Sequence, residues 1–213
     1  MTDSSRSMMP KAYQKSLEFI ASVTEAFDIQ EEGTHVAVIQ YATNARIIFD
    51  FNKFKGEAMS KEKVVDEIKK IPSSNGKSTR IDKALNLAFK VFSEKHGGRK
   101  GIPKIAILIT DGLQSYTEDK PQPIKTSKKL QGTGVHVYTV GVGMEINKYD
   151  LKIMASDHNS TFIANDLKDL LKFAKKIPKK ICEDVELISP TPKPTHKTTK
   201  NKGSVTEECP FDE

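Results

Sequence analysis

The run Lys104-Ile-Ala-Ile-Leu-Ile-Thr110 is apolar at five consecutive positions and ends in Asp111-Gly112. A strand in which neighbouring residues are all apolar has no face to give to water. It must be covered on both sides, as the strands of a parallel sheet are. Residues 135–142 read the same way. Between such strands lie segments of helical period: residues 10–27, with Pro10 suited to a first turn, then 60–71, 80–92, 123–131, 150–155 and 166–181. Residues 35–41 and 46–51 are strands joined by the short link Thr43-Asn44-Ala45, which predicts a hairpin, and 161–164 is a further short strand. Strands alternating with helices predict an α/β fold, a doubly wound, mostly parallel sheet with one antiparallel edge strand.

The chain has 213 residues, enough for one domain with a full core. Residues 1–183 carry the α/β pattern. From 184 to 213 the composition turns to Pro, Thr and Lys with few large apolar residues, which predicts a linker or tail. No apolar run approaches the roughly 20 residues of a membrane span. The net charge is +6, and residues 168–202 hold eleven Lys or His. The excess therefore belongs to the last helix and the tail, and is read as a solvated face. A polyanionic glycan is the alternative partner for it. No aromatic residues interleave the tail, so nucleic acid is not expected. Two cysteines, Cys182 and Cys209, are too few for a disulfide scaffold and lack metal spacing. They are left to pair with each other or with a cysteine elsewhere.

In an open α/β sheet, ligands gather beyond the carboxyl ends of the strands. Asp111 stands at such an end. Thr79, beside Ser78, precedes the helix over 80–92. Asp3, Ser5 and Ser7 are spaced by two, which in an extended segment turns all three to one side. Two carboxylates and three hydroxyls make a hard, all-oxygen set that suits Mg²⁺, or else Mn²⁺ or Ca²⁺.

These residues resemble the von Willebrand factor type A family. Asp3-Ser4-Ser5-Arg6-Ser7 fits its D-x-S-x-S motif, Thr79 falls where its loop threonine lies, and Ile107 to Gly112 fits its strand ending in T-D-G. The resemblance runs from Asp3 to about Cys182. Residues 33–41 and 134–143 look like the extracellular matrix branch, the matrilin-like and collagen-like A domains. It implies that Asp3, Ser5, Ser7, Thr79 and Asp111 form a metal-ion-dependent adhesion site. The bound metal would take a Glu or Asp of a matrix or cell-surface protein. Lys77 and Arg80 would steer that partner, and Gln114, Ser115 and Tyr116 would touch it. The implied protein is a secreted adhesion module of the matrix rather than an enzyme. An intracellular scaffold is the alternative, and a metal-dependent hydrolase lacks a readable base or triad. Asn159-Ser160-Thr161 is a glycosylation sequon for a secreted chain.

Two departures from the family pattern carry expectations. Ile81 and Asp82 stand where the family has threonine and glycine, so Asp82 either adds a water-mediated acid to the site or caps the helix. Only Met1 and Thr2 precede Asp3, where the family has an apolar central strand. The expectation is a sheet without its first central strand, with open edges, a frayed Asp3 and poor metal affinity. The natural chain is then expected to begin upstream, with a signal peptide. His35, His136 and His158 lack metal spacing and are expected to be structural or exposed.

Overall fold

The computed structural model describes residues 1–116 and 119–188. The expected tail from 189 onward, Cys209 included, lies outside them. Six strands form one sheet: β1 (Thr2–Asp3), β2 (Val38–Tyr41), β3 (Ala45–Phe49), β4 (Lys104–Thr110), β5 (Val135–Val142) and β6 (Thr161–Ala164). Their order is β3-β2-β1-β4-β5-β6, and all pairs are parallel except β2 with β3. Six helices cover it: α1 (Pro10–Glu25), α2 (Lys61–Lys69), α3 (Ile81–Val91), α4 (Pro123–Gln131), α5 (Lys148–Met154) and α6 (Leu167–Ile188). The expected doubly wound α/β fold is the observed one.

The strand pattern follows from side-chain alternation. On β4, Ala106 and Leu108 pack with α3, α4 and α5, while Ile105, Ile107 and Ile109 pack toward α1 and α6. β5 does the same, with Val135 and Val137 on the first face and Tyr138, Val140 and Val142 on the second. A strand with helices on both faces needs apolar residues at both parities, hence the unbroken run. On α6, Leu170, Ala174, Ile177 and Ile181 repeat at helical spacing and are buried. Fully burying Leu170 or Ile177 contributes about 1.5–3 kcal/mol each. The helix continues past the expected boundary at residue 183 to Ile188, through Pro178.

The expectation of an absent central strand is corrected. β1 occupies the centre of the sheet with only two residues. The Met1 nitrogen donates to the Ile107 carbonyl at 2.7 Å, and Ile109 N–H donates to the Met1 carbonyl at 3.0 Å. Thr2 lies opposite both Gln40 and Ile109, and Asp3 lies opposite Tyr41. Pairing on both edges holds Asp3 at 0% exposure, so it is anchored rather than frayed. The shortness shows at β2. Residues 35–37 were expected in the strand, but it begins at Val38, because neither β1 nor β3 reaches far enough to pair with them.

Candidate metal centre

At the carboxyl end of the sheet three loops converge. The first leaves β1. Ser4 N–H donates to the Tyr41 carbonyl at 2.8 Å, Ser4 Oγ lies 2.6 Å from Ser74 Oγ, and Arg6 N–H donates to the Gly76 carbonyl at 2.7 Å. Ser5 and Gly76 form a parallel bridge. Only the stretch up to Ser5 is extended: Arg6 and Ser7 lie in a turn closed by the Met8 N–H donating to the Ser5 carbonyl at 3.1 Å, so the Ser7 hydroxyl meets Ser5 through a turn and not through the extended spacing expected. The bridge to Ser5 needs glycine at 76, where a Cβ would stand 2.5 Å from Ala42 Cβ and 2.9 Å from Thr43 N. Gly76→Ala is therefore expected to destabilise the fold by about 1–3 kcal/mol and to displace Ser5. Thermal melting in EDTA, showing a clear drop, checks it.

The second loop carries Thr79. Its N–H donates to Ser115 Oγ at 2.9 Å, and Ser115 N–H donates back to the Thr79 carbonyl at 2.8 Å. The third loop starts at Asp111, where β4 ends. Between the three, the oxygens form a chain. Thr79 Oγ1 donates to Ser5 Oγ at 3.1 Å, Ser5 Oγ and Ser7 Oγ are 2.8 Å apart, and Ser7 Oγ donates to Asp111 Oδ1 at 3.2 Å. Neighbouring ligands of an octahedral Mg²⁺ at 2.0–2.1 Å are roughly 2.9 Å apart. The spacing and hardness of these four oxygens therefore fit such an ion. A Cβ on Gly112 would sit at an ordinary contact distance of 3.9 Å from both Ser7 Oγ and Thr79 Oγ1, so Gly112 lines the cradle.

Asp3 plays a different part. Its Oδ1 accepts the Ser5 N–H at 2.8 Å, and its Oδ2 accepts from Thr110 Oγ1 at 3.0 Å. Both oxygens are engaged, so Asp3 fixes the backbone of the Ser5 turn and supplies negative charge from beneath. Burial first, then the nearby Asp111 charge, pushes its carboxyl up to about 6. Burial also raises Asp111. Two carboxyls held above their ordinary range at one spot are what a dication would relieve.

The residues expected to meet a partner divide. Lys77 is exposed, and Tyr116 is 74% exposed. Arg80 points inward instead. Its Nε donates to Asp82 Oδ1 at 2.8 Å, its second nitrogen to Asp82 Oδ2 at 2.7 Å and also to Asp119 at 2.8 Å. These acids hold the guanidinium firmly charged. Asp82 thus neither caps α3 nor reaches the metal site. The partner of its own backbone N–H is the buried Gln114 Oε1, at 3.2 Å, so Gln114 braces the start of α3. Ser115 clamps Thr79. Asn159 is exposed on a short 3-10 turn, His158–Ser160.

Sequence reasoning missed Thr110, Ser4 and Ser74, which brace the site, and an apolar rim. Among the described residues the exposed large hydrophobics are Met9, Leu113, Tyr116, Met144, Tyr149 and Ile102. All but Ile102 lie just beyond the carboxyl ends of β1, β4 and β5. A recess lined by Gly112, Leu113, Asn147 and Asp150 joins the Asp111 loop to the start of α5. Alternation of apolar residues could have flagged none of these, because each is a single residue in a loop or, for Tyr149, on the outer face of a helix start.

Comparison with known proteins gives three findings. The family model described as von Willebrand factor type A domain matches residues 1–176. Matrilin-1 of Gallus gallus is 29% identical over 186 residues, 85% of this chain and 35% of that protein. Matrilin-3 of Mus musculus is 30% identical over 154 residues, 72% of this chain and 31% of that protein. The chain thus spans about a third of the length of these curated relatives. Among solved structures, proximal thread matrix protein 1 from the mussel byssus superposes with a TM-score of 0.75 at 27% identity, covering 82% of this chain and 44% of that one. A further structure of that mussel protein has zinc in its metal-ion-dependent adhesion site.

Proposed function

This chain belongs to the von Willebrand factor type A family, and on that premise we propose that it is a protein-binding module of the extracellular matrix. Ser5, Ser7, Thr79 and Asp111 would hold a divalent metal, Mg²⁺ or Mn²⁺ by their hardness, with Asp3 acting from the layer behind. The bound metal supplies Lewis acidity, which attracts a Glu or Asp of the ligand. The chain's own residues do the rest. Three neutral hydroxyls donate coordination without quenching the charge, and Asp3 and Thr110 fix the loops against the sheet.

One observation carries the reading: four oxygens from three separate loops meet at the carboxyl end of the sheet, linked by contacts of 2.8 to 3.2 Å, with Asp3 held behind them by the Ser5 N–H and the Thr110 hydroxyl. The apolar rim of Leu113, Tyr116 and Met144 supports a macromolecular ligand, since exposed apolar residues gathered at one end mark interaction sites. Lys77 remains available to draw an acidic partner. The matrix relatives support an extracellular setting, in which Asn159 would carry a glycan. No helix among the described residues is long and apolar enough to cross a membrane. The reading assigns no catalysis to the site.

The direct test is a panel of immobilised matrix proteins probed with and without EDTA. Binding that needs Mg²⁺ or Mn²⁺ supports the proposal. Binding that ignores EDTA and collapses steeply with salt would instead favour a polyanion site on the lysines of α6.

The pH dependence has a defined sign. Because Asp3 titrates near 6 in the folded protein, above its ordinary 3.8, its protonated form favours folding at low pH. That contribution, on the order of 3 kcal/mol, is lost as pH rises from about 4 through 6. A metal competes with the same proton. The rise in melting temperature between EDTA and saturating Mg²⁺ is therefore expected to be small at pH 5 and large at pH 7.5, and to lose this pH dependence in Asp3→Asn. Calorimetric melts at the two pH values check it. A gain independent of pH would count against Asp3 carrying charge to the site.

A further inference from the structure

At the opposite, amino end of the sheet, three side chains from three elements turn toward one point. His136 is the second residue of β5, Asp157 begins the 3-10 turn His158–Ser160, and Asp184 lies on the last turns of α6. One ligand atom from each lies within 4.8 Å of the other two. His136 Nε2 is 3.4 Å from Asp157 Oδ2 and 3.9 Å from Asp184 Oδ2. Adjacent ligands of a tetrahedral Zn²⁺ with bonds of 2.0–2.1 Å stand roughly 3.3 Å apart. The two spacings from His136 are thus already near those of a zinc tetrahedron, and the two carboxylate oxygens lie within 4.8 Å of each other.

We propose that His136, Asp157 and Asp184 form a second divalent-metal site, separate from the oxygen cradle and selective for zinc-class ions. The donor set decides the class. One imidazole nitrogen with two carboxylate oxygens suits Zn²⁺, whereas Mg²⁺ takes oxygens alone. Protein hydrogen bonds hold the three side chains in place, and a metal would displace the Ser160 hydroxyl from His136 Nε2. Asp157 Oδ1 accepts the Asn159 N–H at 2.7 Å, and Ser160 Oγ donates to Asp157 Oδ2 at 3.0 Å while lying 2.8 Å from His136 Nε2. The Tyr138 hydroxyl donates to Asp184 Oδ2. Lys180 ties up the other oxygen of Asp184, Oδ1, leaving Oδ2 toward His136. Lys180 also balances only one of the two carboxylate charges, so a cation is still favoured there. His136 and Asp184 have side chains 14% and 8% exposed, and Asp157, at 43%, gives the ion a way in with water as fourth ligand. Such an ion would staple the last turns of α6 to the start of β5. Its expected effect is on stability rather than on ligand affinity.

The test uses the full chain carrying Asp111→Ala, which removes the other metal site as a competitor. Titration calorimetry with Zn²⁺ should give one equivalent bound and a raised melting temperature. Asp157→Asn keeps an oxygen for the Asn159 N–H, so the turn stays capped. It should weaken zinc by more than about tenfold, and His136→Gln should remove it. Circular dichroism confirms that each variant is folded. Cobalt substitution should give tetrahedral d–d bands with no thiolate charge-transfer band, which excludes Cys182 as the ligand. No saturable uptake in the folded Asp111→Ala protein would overturn the proposal. So would uptake indifferent to Asp157→Asn, or a thiolate band.

Discussion

Asp111→Ala is expected to abolish measurable Mg²⁺ and Mn²⁺ binding, raising the dissociation constant by about a hundredfold or more, equivalent to roughly 2.8 kcal/mol. Asp111 is the one carboxylate in the hydroxyl chain, joined to Ser7 Oγ, and Asp3 has both oxygens engaged elsewhere. Among the described residues no other carboxylate is hydrogen-bonded to these hydroxyls. Stability in EDTA should hold or rise slightly, since removing Asp111 takes away one of two carboxyls that burial and proximity already disfavour as anions. Asp111→Asn separates charge from shape and should also bind poorly. Calorimetry with a parallel melt reads both quantities. If Asp111→Ala bound Mg²⁺ as the unaltered chain does, the oxygen cradle would not be the metal site.

Arg80→Ala is expected to destabilise the fold by about 3–5 kcal/mol, because it leaves a buried carboxylate without its counter-ion. Asp82 is only 7% exposed and is held by two hydrogen bonds from one guanidinium. For a chain of this size each kcal/mol corresponds to roughly 2–4 °C in Tm, so the loss should reach roughly 6–20 °C. The double variant Arg80→Met with Asp82→Leu should recover most of it. Arg and Met are similar in reach, and Gln114 keeps a partner in the Ser115 carbonyl at 2.8 Å. A surface arginine that steers an acidic partner would behave oppositely, with an unchanged melting temperature and a slower, salt-sensitive association. Urea unfolding of the single and double variants separates the two. An Arg80→Ala protein as stable as the original would sink the buried-pair account.

The two predictions also mark where reading the chain succeeds. The motif residues Asp3, Ser5, Ser7, Thr79 and Asp111 were picked out by their resemblance to the family pattern, since a short polar segment near a chain start and a carboxylate after a strand carry little signal taken singly. The bounds of β4, α4, β5 and β6 were legible from the residues themselves, since unbroken apolar runs and proline at a helix start act over a few residues. Arg80 and Gln114 were misjudged because a charged or amide side chain in a loop has no local signature of direction. Whether it meets solvent or a buried acid depends on what packs across from it, here Asp82 and Asp119.

The sequence by itself determined the alternation of strands and helices and the antiparallel hairpin, because each is encoded in neighbours along the chain. Only the tertiary structure decided that Thr2 and Asp3 lie at the sheet's centre, since backbone groups on β2 and β4 supply the pairing. It alone turned Arg80 inward and gathered the apolar rim. It alone brought His136, Asp157 and Asp184 together, residues that no short ligand motif links along the chain. Their meeting is set by the register of β5 against β6 and by how far α6 extends along the sheet, and neither is written in a local pattern.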